Sequence, residues 1–174
     1  MRLLICDDHR LLLDALSMAL TQNGYTVVAT ALDPDGAVAA ARAHQPDACL
    51  LDVNFPHANG LSAIARIREV SADTKVVMLS GSIDRGMVSD AIAQGAQGFV
   101  GKEEPVDAIV EALEMACQGH LAVDPLLLQE IPRPHDAEDR RVGRPDRRVD
   151  RPDRRVDRPD RRVGHSDRRQ PNGL

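Results

Sequence analysis

Residues 3–8 read Leu-Leu-Ile-Cys-Asp-Asp, an apolar run without alternation that stops abruptly on two carboxylates. The pattern returns along the chain. Ala48-Cys49-Leu50-Leu51 runs into Asp52, Val76-Val77-Met78-Leu79 runs into Ser80-Gly81, and Gly98-Phe99-Val100 stands two residues before Lys102. Tyr25-Thr26-Val27-Val28-Ala29 makes a fifth, more mixed run. Continuous apolar runs of this length suit strands buried on both faces, as in a parallel sheet. Between them the apolar spacing turns helical. Leu12, Leu16 and Leu20 recur every four residues and stop at Asn23-Gly24. Asp33-Pro34 reads as an N-cap followed by proline at the first helical position, with Val38 and Ala41 behind it and a stop at Pro46. Leu61, Ile64 and Ile67 form a third stripe, Met87, Val88, Ala91 and Ile92 a fourth. Val106, Ile109, Val110, Leu113 and Cys117 form a fifth. The expectation is an α/β protein, a strand–helix unit repeated five times, with right-handed crossovers placing helices on both faces of a doubly wound parallel sheet.

An open sheet of this kind binds its ligand beyond the carboxyl ends of the strands. That rim is where the polar residues gather: Asp7 and Asp8, Asp52, Ser80 and Lys102 follow four of the five runs. Taken singly, Asp8 also suits a helix cap, Asp52 or Ser80 a turn, and Lys102 a solvated loop. Their joint placement argues for a site. Two like charges about 4 Å apart repel by roughly 4 kcal/mol at an effective dielectric of 20, so three carboxylates need cations or protons. A divalent cation together with Lys102 balances the three negative charges. Few, hard oxygen ligands with room for water favour Mg²⁺ over Zn²⁺. One carboxylate, shielded in this way, is equipped to attack a phosphoryl donor.

Composition narrows the remaining classes. The chain has 174 residues and a net charge of −5. Residues 1–130 carry 8 Lys and Arg against 18 Asp and Glu, and residues 131–174 carry 14 Arg against 9 acids. An acidic folded unit joined to a basic tail is the reading. No apolar run approaches the roughly 18–20 residues that span a bilayer, and the opening MRLLICDDHR reaches acids too early for a signal peptide. Cys6, Cys49 and Cys117 are odd in number and sit among apolar neighbours, which argues against a disulfide framework or a zinc cluster. A cytoplasmic protein without membrane association is expected. Neither a nucleophile elbow nor a glycine-rich phosphate loop is present, and His9, His44 and His57 have no paired nucleophile, so a hydrolase is disfavoured.

Residues 1–124 resemble the receiver domain of bacterial two-component response regulators. The resemblance rests on Asp7-Asp8, Asp52 within LDVNFPHANG, Ser80-Gly81, Phe99 and Lys102. It implies a flavodoxin-like sheet of order 2-1-3-4-5. It also implies that Asp52 accepts a phosphoryl group from a sensor histidine kinase. Mg²⁺ would be held by Asp7, Asp8, Asp52 and the backbone carbonyl of Asn54, with Asp8 a direct ligand and Asp7 acting from further out. Lys102 would pair with the phosphoryl oxygens, Ser80 would move to hydrogen-bond one of them, and Phe99 would swing inward as it does. Such a protein is a phosphoacceptor that assists its own phosphorylation and dephosphorylation rather than an enzyme acting on a separate substrate. Ser80 replaces the threonine of many relatives, and Phe99 replaces tyrosine. Pro56 and Gly60 would shape the turn beside Asp52. Homodimerisation through the fourth helix, fifth strand and fifth helix is a further family expectation.

DDHRLLLDAL and GHLAVDPLLLQEI resemble the receivers of the NarL/LuxR-like subfamily, which precede a DNA-binding helix-turn-helix. Here a linker (125–143) leads instead to RPDRRVD, RPDRRVD and RPDRRVG at 144–164, within a tail that runs to residue 174. A seven-residue period invites a coiled coil, but each unit offers one Val and one Pro where a seam needs two apolar positions and no proline. Residues 131–174 hold seven apolar residues and no aromatic. The expectation is a disordered polyampholyte with at most weak, salt-sensitive contact to nucleic acid. No segment of it suits a recognition helix, so no DNA-binding residues are assigned. The alternative reading is a LuxR-type transcriptional regulator whose DNA-binding domain is truncated or lost.

Overall fold

The computed structural model describes residues 1–123; the expected linker and repeat tail lie outside them. Five strands form one parallel sheet: β1 (Arg2–Cys6), β2 (Thr26–Ala31), β3 (Ala48–Asp52), β6 (Lys75–Ser80) and β7 (Gly98–Gly101). Their order is β2-β1-β3-β6-β7, which is 2-1-3-4-5 among the strands of this sheet, and every pairing is parallel. Five helices alternate with them: α1 (Arg10–Gln22), α2 (Pro34–His44), α3 (Leu61–Val70), α4 (Arg85–Ala93) and α5 (Val106–Cys117). None of these helices is long and apolar enough to cross a membrane.

Strand periodicity divides the core in two. Leu3 and Ile5 of β1 and Leu50 of β3 face Leu13, Leu16 and Leu20 of α1 and Ile109 and Leu113 of α5. Leu4, Cys6, Cys49 and Leu51 face the opposite layer, where Ala37, Val38, Ile64, Ile67 and Val88 come from α2, α3 and α4. Because both faces of β3 are covered, all five of its residues are buried, Asp52 included. A strand in that position must be apolar along its whole length, which is why the runs carry no polar alternation.

The expected strands and helices all form, with local differences. The second strand begins at Thr26 rather than Tyr25 and reaches Ala31; Tyr25 instead packs into the layer of α1 and α5. Asp33 caps α2 as its sequence suggests, accepting from the Gly36 amide at 2.7 Å. The α2 helix ends on Gln45 in the left-handed region (φ 45°), one residue ahead of Pro46. Asp8 does not cap α1; the cap position belongs to His9, whose side chain makes no capping bond. The expected turn after Asp52 is a small antiparallel hairpin, β4 (Asn54–Phe55) and β5 (Ala58–Asn59). Gly60 closes it by donating its amide to the Val53 carbonyl at 2.8 Å. A Cβ there would overlap the Asp52 carbonyl, so only glycine lets the hairpin fold back this tightly.

Candidate functional site

Parallel register brings the strand ends level. Cys6 pairs with Leu51, Asp52 with Leu79, and Ser80 with Gly101. Asp7, Asp52 and Ser80 are therefore delivered to one rim, each buried to within 1% of complete. The main chain holds them there: the Asp7 amide donates to the Ala31 carbonyl at 3.1 Å, Val53 to Leu79 at 3.0 Å, and Lys102 to Ser80 at 2.8 Å.

Lys102 reaches across this rim. Its Nζ stands 2.6 Å from Asp7 Oδ2 and 2.9 Å from Asp52 Oδ2, so one ammonium serves two buried carboxylates. Asp52 Oδ1 is buried without a well-formed hydrogen bond. Burial raises the Asp52 carboxyl above the ordinary aspartate range; Lys102 and the main chain of Asn54 oppose this, and Asp7 adds to it. Burial also works against the charged form of Lys102, yet its bonds to Asp52 and Asp7 outweigh that and hold its pKa above the usual lysine value. The buried half of the rim is short of positive charge.

Asp8 lies further out, with 23% of its side chain exposed. Its partner is His9, which has no paired nucleophile in the sequence. The His9 Nδ1 lies 2.9 Å from Asp8 Oδ1 and 3.3 Å from Asp7 Oδ1, and the His9 amide donates to Asp7 Oδ1 at 2.8 Å. His9 is the N-cap of α1, its backbone extended (φ −89°, ψ 99°), and its ring lies against Asp7 and Asp8 beyond the end of β1; a polar triplet at a strand end is the one sequence signal for it. Asp7, Asp8 and His9 form a group whose ligand atoms all lie within 4.8 Å of one another.

The other expected residues are near the rim but engaged elsewhere. The Ser80 hydroxyl donates to the Ser82 carbonyl at 2.5 Å and accepts from the Ser82 amide at 3.3 Å. Phe99 is buried in the α2–α4 layer. It also lines a cavity of about 500 Å³ with Ile83, Ala108, Met115 and Ala122. That cavity is mainly apolar, with Glu104 and Glu111 at its edge, and does not include Asp7, Asp8 or Asp52. Its relevance is to Phe99, whose ring borders open space. Cys6 and Cys49 are buried free thiols, their pKa values pushed up by burial, to about 12 for Cys49.

Comparison with known proteins places this rim in context. Residues 3–114 match the response regulator receiver domain family. The transcriptional regulatory protein DegU of Brevibacillus brevis is 32% identical over 125 residues, which is 71% of this chain and 53% of that protein. This chain thus spans about half the length of that relative. The chemotaxis protein CheY of Bacillus subtilis is 33% identical over 112 residues, 64% of this chain and 93% of CheY. Among solved structures, a two-component response regulator of the LuxR family from Aurantimonas sp. SI85-9A1 superimposes with a TM-score of 0.69 at 28% identity, covering 80% of this chain and 96% of that one.

Proposed function

Because the chain belongs to the response regulator receiver domain family, we propose that Asp52 accepts a phosphoryl group from a sensor histidine kinase. The observation that carries this assignment to Asp52 is its Oδ1, a buried carboxylate oxygen with no well-formed hydrogen bond at the mouth of the sheet. The oxygen attacks phosphorus, the bond from phosphorus to the donor's imidazole nitrogen breaks, and the electron pair leaves with the imidazole, which takes up a proton. An acyl phosphate on Asp52 results. Phosphoryl transfer of this type needs alignment and charge neutralisation more than covalent assistance.

The side chains support those needs. Asp52 is fixed by the end of β3 and by the hairpin that Gly60 closes. Lys102 already touches Asp52 and Asp7, and it pairs with phosphoryl oxygens as they arrive. The oxygens of Asp7, Asp8 and Asp52, with the Asn54 carbonyl, suit a hard divalent cation, and Mg²⁺ is the ion proposed here. When bound, Mg²⁺ offsets the charge that builds on the transferring oxygens. Phosphorylation adds about 1.5 to 2 negative charges and new acceptor oxygens. The Ser80 hydroxyl then leaves the Ser82 carbonyl for one of them, and Phe99 moves within the space beside it. The receiver is taken as residues 1–124, with 125–143 as linker and 144–174 as tail; transcriptional output would rest on residues outside those described.

Incubation with acetyl phosphate and Mg²⁺, followed by a phosphate-affinity gel, tests the assignment. The wild type gives a retarded band and Asp52→Asn gives none. An equal shift in Asp52→Asn, or no shift in the wild type, overturns it.

A further inference from the structure

Phosphoryl transfer to Asp52 leaves His9 without a task, although its ring lies against both Asp7 and Asp8. We propose that His9 Nδ1 is a protein ligand at this site and biases it toward first-row transition cations such as Mn²⁺ over Mg²⁺. The inference rests on the cation-binding reading of the rim and adds to it the choice of ion.

Three observations lead there. First, the spacing is that of ligands on one ion. His9 Nδ1 is 2.9 Å from Asp8 Oδ1 and 3.3 Å from Asp7 Oδ1. Adjacent ligands of an octahedral ion with bonds near 2.1 Å are separated by about 3 Å. Second, the ring is not held away by other work. Its side chain is 71% exposed, it makes no capping bond to α1, and its ring hydrogen-bonds Asp7 alone, with Asp8 Oδ1 in close contact and otherwise unpartnered. Third, the interior neighbour of the triplet is undercompensated: Asp52 Oδ1 is buried without a well-formed hydrogen bond, while Lys102 is shared between Asp7 and Asp52. A cation beside Asp7 and Asp8 supplies charge that Lys102 alone does not.

Ligand chemistry then sets the selectivity. Mg²⁺ gains little from exchanging a water for an imidazole, whereas affinity for nitrogen donors rises along the first transition row. The imidazole adds to Mn²⁺ binding while leaving Mg²⁺ binding close to what the oxygens provide. A histidine that only hydrogen-bonds and orients the two carboxylates would instead affect every cation alike.

The test uses the full chain. Mn²⁺ binding is followed by electron paramagnetic resonance and Mg²⁺ binding by competition against it, in wild type and His9→Gln. The expected result is a roughly tenfold loss of Mn²⁺ affinity in the variant, with Mg²⁺ affinity changed less than about twofold. Spin-echo spectra of the Mn²⁺-loaded wild type should also show modulation from a coordinated imidazole nitrogen, which disappears in His9→Gln. A wild-type spectrum without that modulation overturns the assignment, as does a parallel weakening of both ions. If the wild type binds Mn²⁺ and Mg²⁺ without involving His9, the cation site survives and the role of His9 does not. Binding of neither ion would overturn both, and the acetyl phosphate assay reports separately on Asp52.

Discussion

Asp7 and Asp8 are neighbours in sequence with the same side chain, yet they belong to different physical environments. Asp7 is wholly buried and bound to Lys102, on the same side as Asp52. Asp8 is partly exposed and bound to His9, most of which is in solvent. The strand decides this. Asp7, the first residue past β1, is still tied to the end of β2 through its amide bond to the Ala31 carbonyl and sheathed there, and the next residue is already near the surface. Charges on the inner side carry large desolvation costs and depend on one another; charges on the outer side are screened by water.

Removing Lys102 should break the inner side most severely. Lys102→Met leaves Asp7 and Asp52 buried without a cation, and urea denaturation should show a loss of about 3 kcal/mol. Excess Mg²⁺ should restore part of it. Gly60→Ala comes next. The added methyl meets the Asp52 carbonyl, so the hairpin must open, at a cost of about 2 kcal/mol by the same measurement.

Asp52→Asn should act in the opposite direction, raising stability by about 1 kcal/mol in metal-free buffer near neutral pH. The sign follows from burial, which raises the Asp52 carboxyl above its ordinary value. A carboxyl raised on folding is bound to its proton more tightly in the native state. Its penalty is therefore absent at low pH and appears as pH rises from the ordinary aspartate value through the raised one. Thermal melts should show wild type and variant close together below pH 4 and diverging above it, with the variant the more stable. Coincident curves at all pH values would show that Lys102 fully compensates Asp52. The smallest effect belongs to the outer side. Asp8→Ala should change stability by less than about 0.5 kcal/mol without divalent cations, because its partner is exposed and screened. Its effect should emerge only when Mg²⁺ or Mn²⁺ is added, as a reduced gain in melting temperature.

Much of this arrangement was legible before any coordinates. The runs ending in Asp7, Asp52 and Ser80 had to be strands of a covered sheet, because only a strand enclosed on both faces is apolar without alternation. Once parallel, their carboxyl ends had to coincide, which assembles the inner residues. Gly60 also stood out, although the hairpin it closes was read as a simple turn: two-residue strands carry too little pattern to register. The position of His9 against Asp7 and Asp8 is not legible in sequence, because an isolated histidine has no periodicity and the direction of its ring depends on how α1 begins. Asp8 was plausible as a helix cap, and the chain instead placed His9 at that position.

The sequence by itself determined the layered α/β sheet, the polar ends of its strands, and the carboxylates, hydroxyl and ammonium available there. Those properties follow from local pattern, since burial on two faces and helical spacing are written into consecutive residues. Only the tertiary structure decided that Lys102 bridges Asp7 and Asp52, that Ser80 is turned to the Ser82 carbonyl, and that His9 lies against Asp7 and Asp8. These are distances between groups on separate strands and loops, and sub-ångström differences in backbone position fix them through strongly distance-dependent electrostatics and hydrogen bonding.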